Sequence, residues 1–98
     1  MVAYRRTVMP GARYFFTVTL ADRASALLIE RIADLRAVFR AARAQRPFHL
    51  DAVVVLPDHL HCVWTLPRGD ADYALRWRDI KSRFSRRVPA YGQGNFGE

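Results

Sequence analysis

The sequence predicts a small α+β domain, an antiparallel sheet with helices packed on one face. Three observations predict it. Segments whose apolar and polar residues alternate with period two stand on either side of a long run with helical spacing. A second amphipathic run follows the last alternating segment. The chain is 98 residues long, 51% hydrophobic and 12% aromatic, enough for one core and too apolar to stay disordered.

Residues 1–12 read as a basic arm carrying Tyr4, Arg5 and Arg6 and ending at the turn-forming Pro10-Gly11. Arg13 to Leu20 reads as a strand. Tyr14, Phe16, Val18 and Leu20 share one face; Phe15, Thr17 and Thr19 share the other. Aromatics on both faces suit a central strand. Asp22 is placed to cap the next element. From Ala24 to about Ala44, Leu28, Ile32, Leu35 and Phe39 recur at helical spacing, and neither Gly nor Pro interrupts. Gln45-Arg46-Pro47 ends that helix.

Phe48 to Leu56 is a second strand, and His59 to Leu66 a third, joined at Pro57-Asp58. A strict two-residue loop would pair Leu56 with His59 and set the histidines beside Val54. A loop one residue longer aligns Leu56, Val54 and Ala52 with Leu60, Cys62 and Trp64. The longer loop keeps one face apolar, so it is the expected register; a one-residue slip reverses every side chain. After Pro67-Arg68-Gly69, Asp70 or Asp72 can cap a helix from about Ala71 to Val88. Its apolar stripe is Tyr73, Trp77, Ile80, Phe84 and Val88. Residues 90–98, with three glycines among them, read as a flexible tail, leaving 13–89 as the domain.

Charge is the strongest compositional signal. There are 16 Lys+Arg against 9 Asp+Glu, a formal net charge of +7, and all the basic residues except Lys81 are arginine. Coding-base composition can explain arginine over lysine, but not the net excess. Arginine forks onto phosphates, so a nucleic-acid partner is expected. Candidate phosphate contacts are Arg5, Arg6 and Arg13 near the N-terminus, with Arg76, Arg78, Lys81, Arg83, Arg86 and Arg87 on the last helix, where Asp79 alone opposes them. No stretch approaches the roughly 20 apolar residues of a membrane span. No apolar run follows Met1–Arg6, so no signal peptide is expected. Cys62 is the single cysteine, which excludes an internal disulfide and a cysteine-rich zinc site. A cytoplasmic location is expected.

The stretch with the most chemistry is Leu56-Pro57-Asp58-His59-Leu60-His61-Cys62-Val63-Trp64. In a strand His59 and His61 project from one face, roughly 6–7 Å apart at Cα, within reach of one metal ion. Leu60, Cys62, Trp64 and Leu66 then point the other way, into a core. A His-x-His pair alone is a weak motif. In the expected register the histidines lie on the face of Val55, Val53 and Asp51, with His49 and Asp51 far along the sheet.

The order strand, helix, strand, strand, helix gives the first five elements of the ferredoxin-like pattern, with its final strand absent. The chain resembles the REP-associated tyrosine transposases, a branch of the single-tyrosine HUH transposases. The matching pieces are Gly11 to Val18, Phe48 to Leu66 and Trp77 to Ser85, in family order. The hydrophobic strand running into Pro-Asp-His-Leu-His is far more specific than His-x-His.

The resemblance implies an enzyme that cuts single-stranded DNA beside a hairpin. His59 and His61 would hold a divalent cation, Mg²⁺ or Mn²⁺, that polarises the scissile phosphate, with no nucleotide cofactor. A tyrosine would attack phosphorus and form a 5′-phosphotyrosine link, breaking the scissile P–O bond and leaving a 3′-OH. In the family that tyrosine lies on a later helix, with a polar ligand four residues on; this chain ends before such a helix, which reads as a truncation and leaves its own catalysis open. Tyr91 has Asn95 at that spacing, but Gly92 and Gly94 oppose a helix there. Without a final strand, Arg13–Leu20 is expected to be an exposed edge through which the chain self-associates or over which it folds its own tail. Two alternatives stand beside the transposase reading: a non-catalytic DNA-binding remnant, and a ferredoxin-like RNA-binding module in which Phe15 stacks on a base.

Overall fold

The computed structural model describes residues 12–88 in full and the backbone of residues 2–5. The elements are β1 (Val2–Arg5), β2 (Arg13–Thr19), α1 (Leu27–Glu30), α2 (Ile32–Gln45), β3 (His49–Val55), β4 (His59–Thr65) and α3 (Tyr73–Arg87). The four strands form one antiparallel sheet in the order β1-β2-β4-β3.

The alternation in the strands sorts side chains as expected. Tyr14, Phe16, Val18 and Leu20 are buried on one face with Leu60, Cys62, Trp64 and Leu66. The long helices lay their apolar stripes on that face: Leu35, Val38, Phe39 and Ala42 from α2, and Trp77, Ile80, Phe84 and Val88 from the α3 segment. The centre is aromatic. Trp64 stacks on Phe48 at 4.0 Å and on Trp77 at 4.6 Å, and meets Phe16 edge-on at 4.7 Å between ring centroids. Cys62 lies in the same layer, and burial pushes its thiol up to about 12. We therefore expect a thiol reagent at about pH 8 to leave the native chain unmodified and to label it fully in denaturant. Rapid native labelling would mean that the inner face of β4 opens.

Several expectations are corrected. Arg13–Leu20 is not an edge: Val2–Arg5 pairs with Phe15–Val18 and holds the place beside β2 assigned to a missing final strand. Part of the basic arm is thus a strand, and self-association through the β2 edge has no basis. The hairpin takes the strict two-residue loop. Val55 faces Leu60, Val54 faces His61, and the Leu56 N–H donates to the His59 carbonyl at 2.8 Å. A bulge between Leu50 and Ala52 then shifts the register, so that Leu50 faces Trp64. The bulge resolves the conflict between loop length and pattern by adding a residue at the far end of β3.

Finally, the helical run bends at Arg31, whose φ of −113° and ψ of 36° lie outside the α region. Its first part is fastened elsewhere: the Leu28 N–H donates to the Pro57 carbonyl at 3.2 Å. Asp22 caps no helix; its carboxylate closes a local turn by accepting from the Ala24 N–H. Asp72 does cap α3, accepting from the Leu75 N–H at 3.1 Å.

A two-histidine candidate metal site

β4 places His59 and His61 two residues apart on the sheet face opposite the helices. Their ring centroids are 5.0 Å apart and the rings nearly perpendicular, at 82°. Each Nδ1 already has a partner. That of His59 lies 2.9 Å from Asp58 Oδ1, and that of His61 lies 2.9 Å from Thr17 Oγ1, across the β2–β4 pairing. Phe15 lies nearly parallel to His61, at 13° and 5.8 Å.

The turn carrying Asp58 is pinned from three sides. The Leu20 N–H donates to the Asp58 carbonyl at 2.8 Å, the Leu28 N–H donates to Pro57, and the Arg23 Nε–H donates to Asp58 Oδ2. The Arg23 guanidinium first, and the His59 ring second, hold the Asp58 carboxyl at about 2. It is therefore an anion at neutral pH, able only to accept hydrogen bonds.

These residues fit a cation. With both Nδ1 atoms engaged, Nε2 is the nitrogen of each ring left to face a ligand, and it can ligate when the ring proton sits on Nδ1, the arrangement common at metal-bound histidines. An ion bound at about 2.1 Å from a ring nitrogen sits roughly 3 Å from that ring's centroid, so 5.0 Å between centroids is within reach of a shared ion. Imidazole donors suit Mn²⁺ and later transition metals better than Mg²⁺. Among the described residues, no group of three His, Cys, Asp or Glu side chains completes a ligand set. His49 stands at the other end of the hairpin opposite Thr65, its Nδ1 2.8 Å from Asp51. Asp51 also accepts from the Thr65 hydroxyl at 2.6 Å, and Arg13 lies 3.9 Å from it with its side chain 72% exposed.

The fully described tyrosines are on the wrong side for chemistry here. Tyr14 is buried in the core, and Tyr73 packs on it at 5.1 Å between rings. Tyr91 lies outside the described residues.

Of the proposed phosphate contacts, Arg76 is corrected. It is 3% exposed, and its guanidinium is spent inside the protein. It donates to the carbonyls of Arg46, Pro47 and Asp72 and to the Asp70 carboxylate, at 2.9–3.1 Å. Arg83 grips Asp79 through Nε, and Arg87 donates to Asp34 at 2.9 Å. Arg86 donates to Ser82, and Arg78 is exposed. Arg83, Arg86 and Arg87 line a groove of about 190 Å³ against Ala37, Val38 and Ala41 of α2. Lys81 is half-buried on the same helix. The side chain of Arg5 and all of Arg6 lie outside the described residues. Sequence reasoning missed Thr17 and Arg23 as site residues. Thr17 reaches the site only through strand register, and Arg23 is remote in sequence, so neither carried a local signal.

The fold and the site together define a ferredoxin-like α+β domain with paired imidazoles on the open face of its sheet. The comparisons make this specific. Over 85 residues the chain is 47% identical to the REP-associated tyrosine transposase of Escherichia coli K12, covering 87% of this chain and 52% of that protein. It is 37% identical over 89 residues to a Haemophilus influenzae protein assigned to the same family, covering 91% and 51%. Among solved structures, a REP-associated tyrosine transposase bound to a REP hairpin matches with a TM-score of 0.82 and 45% identity, over 98% of this chain and 56% of that one. No family model matches. Over most of its length the chain is similar to REP-associated tyrosine transposases, and it spans about half the length of the curated relatives it matches.

Proposed function

We propose that this chain binds hairpin-flanked single-stranded DNA and supplies the metal-holding half of a tyrosine transposase site. The observation that carries the reading is the pair of histidines whose Nδ1 atoms are both engaged, leaving both Nε2 atoms for a ligand. A divalent cation held there supplies Lewis-acid polarisation of a phosphoryl oxygen. His59 and His61 would hold it; Asp58 and Thr17 brace their rings. The attacking tyrosine, its phosphotyrosine product and a further ligand would come from outside the described residues. The exposed arginines of α3, across the sheet from the histidines, give phosphate contacts that lose strength with salt. The hairpin in the solved relative supports DNA of that shape as the partner. Phe15, 43% exposed, is the large apolar residue of β2 that the open face presents, where RNA-binding sheets of this kind stack two or three bases on aromatics. That leaves the RNA reading with little support.

The test measures Mn²⁺ affinity and hairpin-DNA affinity on the same preparation. His59→Ala with His61→Ala should weaken Mn²⁺ binding by more than the roughly 10–100-fold typical of lost supporting contacts, and leave hairpin affinity without metal within about twofold. Unchanged Mn²⁺ affinity would remove the site. A covalent adduct formed by this chain on a labelled hairpin-flanked strand would show that it also carries the nucleophile.

A further inference from the structure

We infer that Asp58, clamped by Arg23, and Thr17 are positioning residues that set the two histidines unequally: His59 is locked in its metal-ready tautomer, while His61 is free to choose. The inference deepens the metal reading above and rests on it for its consequence, though not for its first measurement.

Hydrogen-bond capacity separates the two histidines. Asp58 Oδ1 is 2.9 Å from His59 Nδ1, and the other oxygen, Oδ2, takes the Arg23 Nε–H. An ionised carboxylate has no proton to give. The neutral His59 ring must therefore carry its proton on Nδ1, and its Nε2 keeps a lone pair. Rotation of the Asp58 side chain would break the Arg23 bond, and movement of its backbone would break the bonds from Leu20 and Leu28. The carboxylate is held before any ligand arrives.

His61 differs. Its Nδ1 faces a hydroxyl at 2.9 Å, and a hydroxyl can donate or accept. Both neutral tautomers of His61 keep that bond. Only the one with the proton on Nδ1 offers Nε2 to a cation, so binding must draw His61 into it. Phe15, nearly parallel to the ring, and Thr17 fix its plane and leave the proton's position open. His59 is thus the ready ligand and His61 the recruited one.

The test uses the full chain with ¹⁵N-labelled histidine. Ring-nitrogen shifts are read without metal at about pH 8.5, where imidazole is neutral. In the wild type, His59 should show one tautomer, protonated on Nδ1, and His61 a mixture that moves to the same form as Mn²⁺ or diamagnetic Zn²⁺ is added. Arg23→Gln and Asp58→Asn should each turn His59 into a mixture, and Asp58→Asn should lower Mn²⁺ affinity by roughly 10–100-fold. Thr17→Val should cost less, about tenfold at most, because His61 loses a contact that never fixed its proton. Arg23→Gln leaves both histidines and Asp58 in place, so it reads the clamp even if Asp58→Asn unfolds the turn. A His59 ring protonated on Nε2 in the wild type, or unchanged in both variants, overturns the inference. A wild-type chain that shows the predicted tautomers but takes up no more metal than the double alanine variant overturns the metal reading instead.

Discussion

Trp64→Ala should lower the free energy of unfolding by about 4 kcal/mol, a loss of roughly 20 °C in melting temperature for a domain of this size. The indole is completely buried and touches both layers. It stacks between Phe48, at the start of the β3 segment, and Trp77 of α3, and meets Phe16 of β2 edge-on. Truncation opens a cavity bounded by rings that cannot collapse into it. Against a typical total of about 5–15 kcal/mol, that loss threatens the fold itself. Trp64→Phe keeps a ring in the stack and should cost less than half as much. Thermal melts of the three proteins decide it. A Trp64→Ala chain melting within about 5 °C of the wild type would mean that this aromatic cluster does not organise the core.

Arg76→Ala should cost about 3 kcal/mol of stability and leave the salt dependence of DNA binding unchanged. Its guanidinium fastens the start of α3 to Arg46 and Pro47, which lead into β3. Removing it leaves those carbonyls without their donor and Asp70 without its cation. Arg86→Ala should do the reverse, with stability nearly unchanged and the slope of log affinity against log salt reduced by about one. Equal loss of DNA affinity in both variants at a temperature where both are folded would restore Arg76 to the binding surface. Acid should mimic the substitution. The hydrogen bond from Arg76, above all, holds the Asp70 carboxyl below its ordinary 3.8. The stability it contributes is therefore present above that value and is lost as the pH falls through the lower, folded-state one. In Arg76→Ala that part of the acid dependence should vanish.

The buried strands were easily read, and the edge strand was not. β2 and β4 have one face against helices and one open, so their alternation reports direction without ambiguity. β3 lies at the sheet edge. Val53 and Val54 are 44% and 58% exposed on opposite faces, so Val53-Val54-Val55 carries no inside-outside signal. Hydrophobicity therefore favoured a register that the tight turn overruled. Arginine presented a related difficulty. Composition marks α3 as basic, but only packing shows that Arg76 turns inward while Arg78 and Arg86 face solvent.

By itself the sequence determined the α+β class, the two core faces of the inner strands, and His59 and His61 side by side on the face away from the core. All of these follow from short-range periodicity, which every residue carries locally. Tertiary structure alone decided what surrounds the histidines. Thr17 meets His61 because β2 and β4 pair in one register, and Arg23 meets Asp58 because the chain after β2 folds back over the hairpin turn. It also decided that Val2–Arg5 covers β2. Such contacts join residues far apart in the chain, and they are set by the free energy of the whole packed domain rather than by any local pattern.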